Sequence, residues 1–194
     1  MTIVNQKPPA RSRSIVHAEL RRRLDRSAHI RSLQGSPRTG SPLPLYRIAA
    51  GAGSAGAAHP LKRARRIGWQ YPLIGGECVG LVLLLQRRTG AKYAGIMEGG
   101  MPRRLFEVAL SAERDLRDAD EAYEPRLLEI PARQLVLLWM RGARGTNWFY
   151  PISRSRGIAE WPATRDLPRL APRAKQSQPP AKRRKKKAPR RTGR

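Results

Sequence analysis

The chain has 194 residues, 40 of them Lys or Arg and 14 Asp or Glu, for a formal net charge of +26. Hydrophobic residues make up only 40% and Gly and Pro number 17 each, which argues against one wholly packed globular chain. The single cysteine, Cys78, excludes an internal disulfide and a CxxC zinc site, and the longest apolar run, residues 78–85, is too short to span a bilayer as a helix.

Charge divides the chain into three. Residues 1–66 hold 14 basic and 2 acidic residues, residues 67–153 hold 11 and 10, and residues 154–194 hold 15 and 2. Only the middle has the charge balance of a folded domain. The expectation is a compact α+β domain over 67–153 between two basic, largely disordered arms. Arms so poor in large apolar groups bury too little surface to offset the entropy lost on ordering.

In the first arm, Val16, Leu20, Leu24 and Ala28 fall at i+4 intervals within residues 13–33, among arginines that include Arg21, Arg22 and Arg23. Ser14 is a candidate cap, and Gly35 and Pro37 would end such a helix. The apolar stripe is thin and an isolated helix of this kind is marginal in water. The expected state is therefore a frayed, solvated segment that becomes helical on a partner, an anionic membrane or a nucleic acid. Residues 35–60 are rich in Gly, Ala, Ser and Pro, and within them 51–58 reads as a flexible linker. The basic run Lys62, Arg63, Arg65 and Arg66 closes the arm. An Arg- and Ser-rich, acid-poor N-terminal stretch also fits an organellar transit peptide, but the second arm shares the bias, so composition accounts for both.

In the middle, Ile67, Trp69, Tyr71 and Leu73 alternate with smaller or polar residues, the period of a strand. Gly75-Gly76 makes a turn. The apolar segment 77–86 fits strand or helix by periodicity, and its flanking glycines favour a strand. Thr89-Gly90 turns the chain into a third strand at 91–97. Pro102 opens an amphipathic helix over 102–118, with Leu105, Phe106, Ala109, Ala112 and Leu116 in one stripe. Strands follow at 123–130, where Pro125 argues for an edge position, at 134–140, apolar enough to be central, and at 147–152. The order β-β-β-α-β-β-β predicts a small antiparallel sheet with one amphipathic helix.

Three stretches of this region, Tyr123-Glu124-Pro125-Arg126-Leu127-Leu128-Glu129-Ile130-Pro131-Ala132, the run at 135–139, and Phe149-Tyr150-Pro151-Ile152, resemble a family of small bacterial proteins of uncharacterised activity. The resemblance covers less than a third of the chain and its motif is mostly apolar. It implies a bacterial cytoplasmic protein and supplies no activity or site residue.

Chemistry-bearing residues are few. Cys78 follows Gly75-Gly76-Glu77, but a thiol nucleophile needs a base, and His17, His29 and His59 all lie in the first arm. A Cys buried in a strand is the expected reading. Glu113, Asp115, Asp118, Asp120, Glu121 and Glu124 lack the spacing of a calcium loop and are interleaved with Arg114 and Arg117, so they read as a solvated helix end or as a place for a basic arm to dock. The glycines match no phosphate-binding fingerprint. Trp69, Trp139, Trp148 and Phe149 sit at strand spacing and belong to a core, while a solvent-facing Tyr71, Tyr93 or Tyr150 could stack on bases. No enzyme, cofactor or metal is expected.

The strongest signal lies near the end of the chain, where Lys182, Arg183, Arg184, Lys185, Lys186 and Lys187 precede Arg190 and Arg191. Like charges this dense attract polyanions, with binding that is non-specific and steeply salt-dependent. The expected function is non-enzymatic binding of nucleic acid through its phosphates, by these residues together with Arg21, Arg22, Arg23, Lys62, Arg63, Arg65 and Arg66. The central domain would contact a protein partner or a second copy through its sheet. The alternative is a protein–protein adaptor with incidental basic tails. The expected location is cytoplasmic, on the nucleoid in a bacterium, or nuclear or organellar in a eukaryote.

Overall fold

The structure is a computed structural model that describes residues 2–24, 38–49, 60–75, 77–152 and 167. In chain order its elements are β1 (Thr2–Ile3), α1 (Ser12–Leu24), β2 (Arg38–Thr39), β3 (Leu43–Arg47), a 3-10 turn (Pro60–Arg63), β4 (Arg65–Gly75), β5 (Glu77–Arg87), β6 (Gly90–Glu98), α2 (Gly100–Asp115), β7 (Ala122–Ile130), a second 3-10 turn (Pro131–Arg133), β8 (Leu135–Gly142) and β9 (Asn147–Pro151).

The alternation read along the middle of the chain builds two antiparallel meanders, β4–β5–β6 and β7–β8–β9, joined in sequence by α2. In space they are joined by β3, which runs antiparallel to β4 and parallel to β7. The result is one nine-stranded mixed sheet of order β6-β5-β4-β3-β7-β8-β9, with β1 parallel beside β7 and β2 antiparallel beside β4.

The expected small antiparallel sheet with one helix is therefore corrected to a nine-stranded mixed sheet with two helices, to which the described part of the first arm contributes, while the second arm apart from Leu167 lies outside the described residues. The physical reason lies in the surface the middle segment leaves bare. Trp69, Tyr71, Leu73, Val82 and Leu84 form an apolar floor on the sheet face away from α2, and α1 covers it by burying Val16 and Leu20. The described part of the 13–33 stripe, up to Leu24, is thus helical on the chain's own sheet. Residues 25–37 lie outside the described part. In the same arm β3 bridges the two meanders, and Leu45 is fully buried, while the linker read at 51–58 lies outside the described residues.

The edge position argued from Pro125 is also corrected. β7 lies between β3 and β8, yet proline is tolerated there for a local reason. Val4 N–H donates to the Tyr123 carbonyl at 2.9 Å and Ile48 N–H to the Glu129 carbonyl at 3.0 Å. Odd-numbered residues of β7 therefore turn their backbone polar groups toward β1 and β3. Pairing with β1 covers residues 122–123 and pairing with β3 covers 127–129, so Pro125 falls in the gap between the two strands. A residue with no N–H to donate sits where neither strand pairs with it.

Three apolar clusters divide the two faces. On one face α2 lays Leu105, Val108, Ala112 and Leu116 against Leu45, Leu127, Leu138, Met140 and Tyr150. On the other, the α1 cluster lies over β4 and β5, and a neighbouring cluster of Ile48, Leu128, Ile130, Leu137, Trp139 and Phe149 is covered in part by Leu61, Ala64 and Leu167. Gly68 lies close against β5: a Cβ there would collide with the Leu84 carbonyl.

Candidate functional site

Two surfaces stand out, one on each helix-covered face. The first is basic. Arg21, Arg22 and Arg23 follow one another at the end of α1 and are exposed, because the buried positions Val16 and Leu20 turn the rest of the helix outward. Cations in the last turn of a helix also meet the negative end of its dipole. Arg22 lies 3.4 Å from Glu19, the one acidic residue of α1. The Arg23 guanidinium sits 4.9 Å from the centre of the Tyr93 ring.

Of the Lys62–Arg66 run, Arg66 reaches the same face by a distinct route, while Arg65, opposite Arg47, falls on the other face of the sheet. Leu61 and Ala64 pack onto the sheet and leave Lys62, Arg63 and Arg65 exposed. The pairing of β3 with β4 steps from Leu45–Gly68 to Tyr46–Arg66, which leaves Ile67 as a bulge. A bulge re-aims its neighbouring side chain. Arg66 is thereby brought over the Trp69 ring, 5.2 Å from its centre, and within 3.2 Å of Gln6 Oε1. Trp69 and Tyr93 both face α1, so Arg23 and Arg66 border one surface. Lys182, Arg183, Arg184, Lys185, Lys186, Lys187, Arg190 and Arg191 lie outside the described residues.

α1 is moored at its other end by a hydrogen-bond chain. Buried Tyr71 donates its hydroxyl to Ser12 Oγ at 2.8 Å, and Ser12 in turn donates to the Pro9 carbonyl at 2.6 Å. Burial pushes the Tyr71 hydroxyl pKa up, partly offset by the Ser12 contact and by Arg13. Tyr71 is thus committed to holding the helix. Burial likewise raises Tyr93, against the pull of Arg23. Tyr150 is buried beneath α2, where burial first and Asp115 second push its pKa up, so it belongs to the core.

The second surface is an apolar groove of about 360 Å³ beside α2. Leu105, Phe106 and Leu110 form one wall, Ile3 and Ile74 the other, and Pro125 lies in the floor at the gap between β1 and β3. These residues are remote in sequence and carry no shared pattern, so no periodicity announced the groove. The one sign in the sequence was that Leu110 falls outside the core stripe of α2, where it is 46% exposed.

The acidic cluster read from sequence is dispersed. Glu113 lines the groove. Glu121 accepts hydrogen bonds from the Thr146 hydroxyl and the Arg144 N–H and clamps the β8–β9 turn. Glu124 holds Arg126 through two hydrogen bonds, at 2.6 and 2.8 Å. That guanidinium is buried between Tyr46 and Trp139, 4.8 and 4.7 Å from their ring centres. Cys78 lies in β5 opposite Ile74. His17 lies on α1 and is exposed, while His29 and His59 fall outside the described residues. No helix among the described residues is long and apolar enough to cross a membrane. In comparisons with known proteins, no family model, no curated protein and no solved structure matches this chain.

Proposed function

We propose that the protein is non-enzymatic and binds nucleic acid through its phosphates, with the α1 face and the basic C-terminal segment as contacts and the α2 face for partner contact. The observation that carries this reading is the exposed run Arg21, Arg22 and Arg23 at the end of α1, a helix with a single acidic residue, with Arg66 bordering the same surface and exposed Lys62, Arg63 and Arg65 close to it in the chain. Arg23 and Arg66 rest on aromatic rings, which limits the side-chain entropy a phosphate contact would cost. All these groups act by charge and none by reading bases, so the expected binding is indifferent to sequence and weakens steeply with salt.

The test is fluorescence anisotropy on random-sequence duplexes across a salt series. Three proteins are compared: the full chain, the triple variant Arg21→Ala, Arg22→Ala, Arg23→Ala, and a chain ending at Pro180. For every phosphate that a variant no longer neutralises, the slope of log K against log salt should fall by about 0.9. Affinity and slope unchanged in both altered proteins would overturn the reading.

A further inference from the structure

The groove beside α2 has an occupant that the charge distribution selects. Among the described residues the exposed large apolar side chains are Ile3, Val4, Ile74, Met97 and Leu110, and three of them, Ile3, Ile74 and Leu110, line this one groove. Apolar exposure gathered in this way marks a contact surface, whereas single scattered residues do not.

Its surroundings are balanced in charge. α2 carries Arg103, Arg104 and Arg114 against Glu107, Glu113 and Asp115, whereas α1 carries Arg13, Arg21, Arg22 and Arg23 against Glu19 alone. Two copies of a chain of net charge +26 repel wherever their basic faces meet. The α2 face is where they approach without that penalty. The sheet ends are guarded against strand addition: β6 steps from Leu83–Gly95 to Leu84–Tyr93, leaving a bulge at Ala94 beside Lys92, and β9 is five residues long and ends on Pro151.

We propose that the protein forms a two-fold symmetric homodimer in which α2 of one copy packs antiparallel on α2 of another, centred near Val108, with each Leu110 seated in the groove of the opposite copy. In that register Leu110 meets Phe106 of the second copy, and Arg103 meets its Glu113. Both contacts occur twice, as an isologous interface requires. Arg103 already lies 3.6 Å from Glu107 on its own helix and gains a second carboxylate. The dimer turns both α1 faces outward. This inference deepens the contact role proposed for the α2 face and does not depend on nucleic-acid binding.

Sedimentation equilibrium of the full, nuclease-treated chain at high salt tests it, since nucleic acid cannot then bridge copies. The expected mass is twice 21.8 kDa. Leu110→Asp, at a position already half-exposed, should weaken dimerisation by about tenfold or more with an unchanged melting temperature. Arg103→Glu should weaken it less, and Arg103→Glu combined with Glu113→Arg should restore it. A monomeric wild-type chain would overturn the proposal, as would a dimer indifferent to Leu110→Asp. Failure of the double charge reversal to restore a contact that Arg103→Glu weakens would overturn the antiparallel register.

Discussion

α1 and α2 cover opposite faces of one sheet and are held there by different means. α2 buries four side chains, Pro102, Leu105, Val108 and Ala112, with the cap residue Leu116 packed beside them, in a stripe that its own sequence announces. α1 buries two, Val16 and Leu20, and adds the Tyr71–Ser12 hydrogen bond and the seat of Arg23 on Tyr93. Two such apolar side chains contribute about 3–6 kcal/mol together, too little for the helix to persist without the floor beneath it. The difference teaches that a weakly amphipathic, highly charged helix can be specified by the surface waiting for it. Charge follows the same division, with a basic face over α1 and a balanced, grooved face over α2.

The comparison breaks most directly at Trp69, which is fully buried under α1. Trp69→Ala should cost about 3–5 kcal/mol in denaturant unfolding. In hydrogen exchange it should strip protection from residues 12–24 while sparing the amides of α2. Equal loss in both helices would show that α1 does not depend on this floor more than α2 does.

A matched pair sharpens the same point. Leu105→Ala on α2 should cost about 2–5 kcal/mol, and Leu20→Ala on α1 should fall near the low end of that range. α1 can detach locally, whereas α2 sits on both meanders. Denaturant midpoints measured with equal slopes decide between these outcomes, and a larger cost at Leu20 would reverse the ranking.

On the charged surface the expected effect moves from stability to binding. Alanine at Arg21, Arg22 and Arg23 should leave stability within about 0.5 kcal/mol per site, since all three are exposed, while flattening the salt dependence of duplex binding. A large stability loss would instead assign these arginines to holding the helix down.

The smallest effect belongs to the β8–β9 turn. The Thr146 hydroxyl, followed by the Arg144 N–H, holds the Glu121 carboxyl below its ordinary value of 4.5. A carboxylate with a depressed folded pKa contributes stability that is full above the ordinary value and is lost as pH falls through the folded one. The amides of 143–146 should therefore exchange faster, at constant chemical rate, as pH drops through that window. Glu121→Gln should remove the pH dependence. A wild-type turn unchanged across the window would show that the clamp contributes nothing.

Much of the sheet was legible because half-buried strands write their burial as alternation. Ile67 to Leu73 carried it, whereas the Leu-rich 77–86 segment and the run at 135–139 were legible as short, dense apolar runs between turn residues, as strands buried on both faces are. β3 was not legible. Leu43-Pro44-Leu45-Tyr46-Arg47 is five residues long, contains a proline and sits in a stretch rich in Gly, Ala, Ser and Pro. It is a strand because β4 and β7 each offer it a ladder. Pro44 faces β4 opposite Trp69 but lies before the first pair with β7, Leu45–Leu127, so its missing N–H is not required there.

By itself, then, the amino-acid sequence marked six of the strands, the helix between them, the lack of an internal disulfide and the excess of positive charge. These follow from local periodicity, turn chemistry and counting. Only the tertiary structure decided that α1 would be folded, that β3 would join the meanders into one sheet, and that Ile3, Ile74 and Leu110 would meet in a groove. Each of these depends on apolar surface or backbone hydrogen-bonding groups offered by residues distant in the chain, and no local pattern records where such a surface will be.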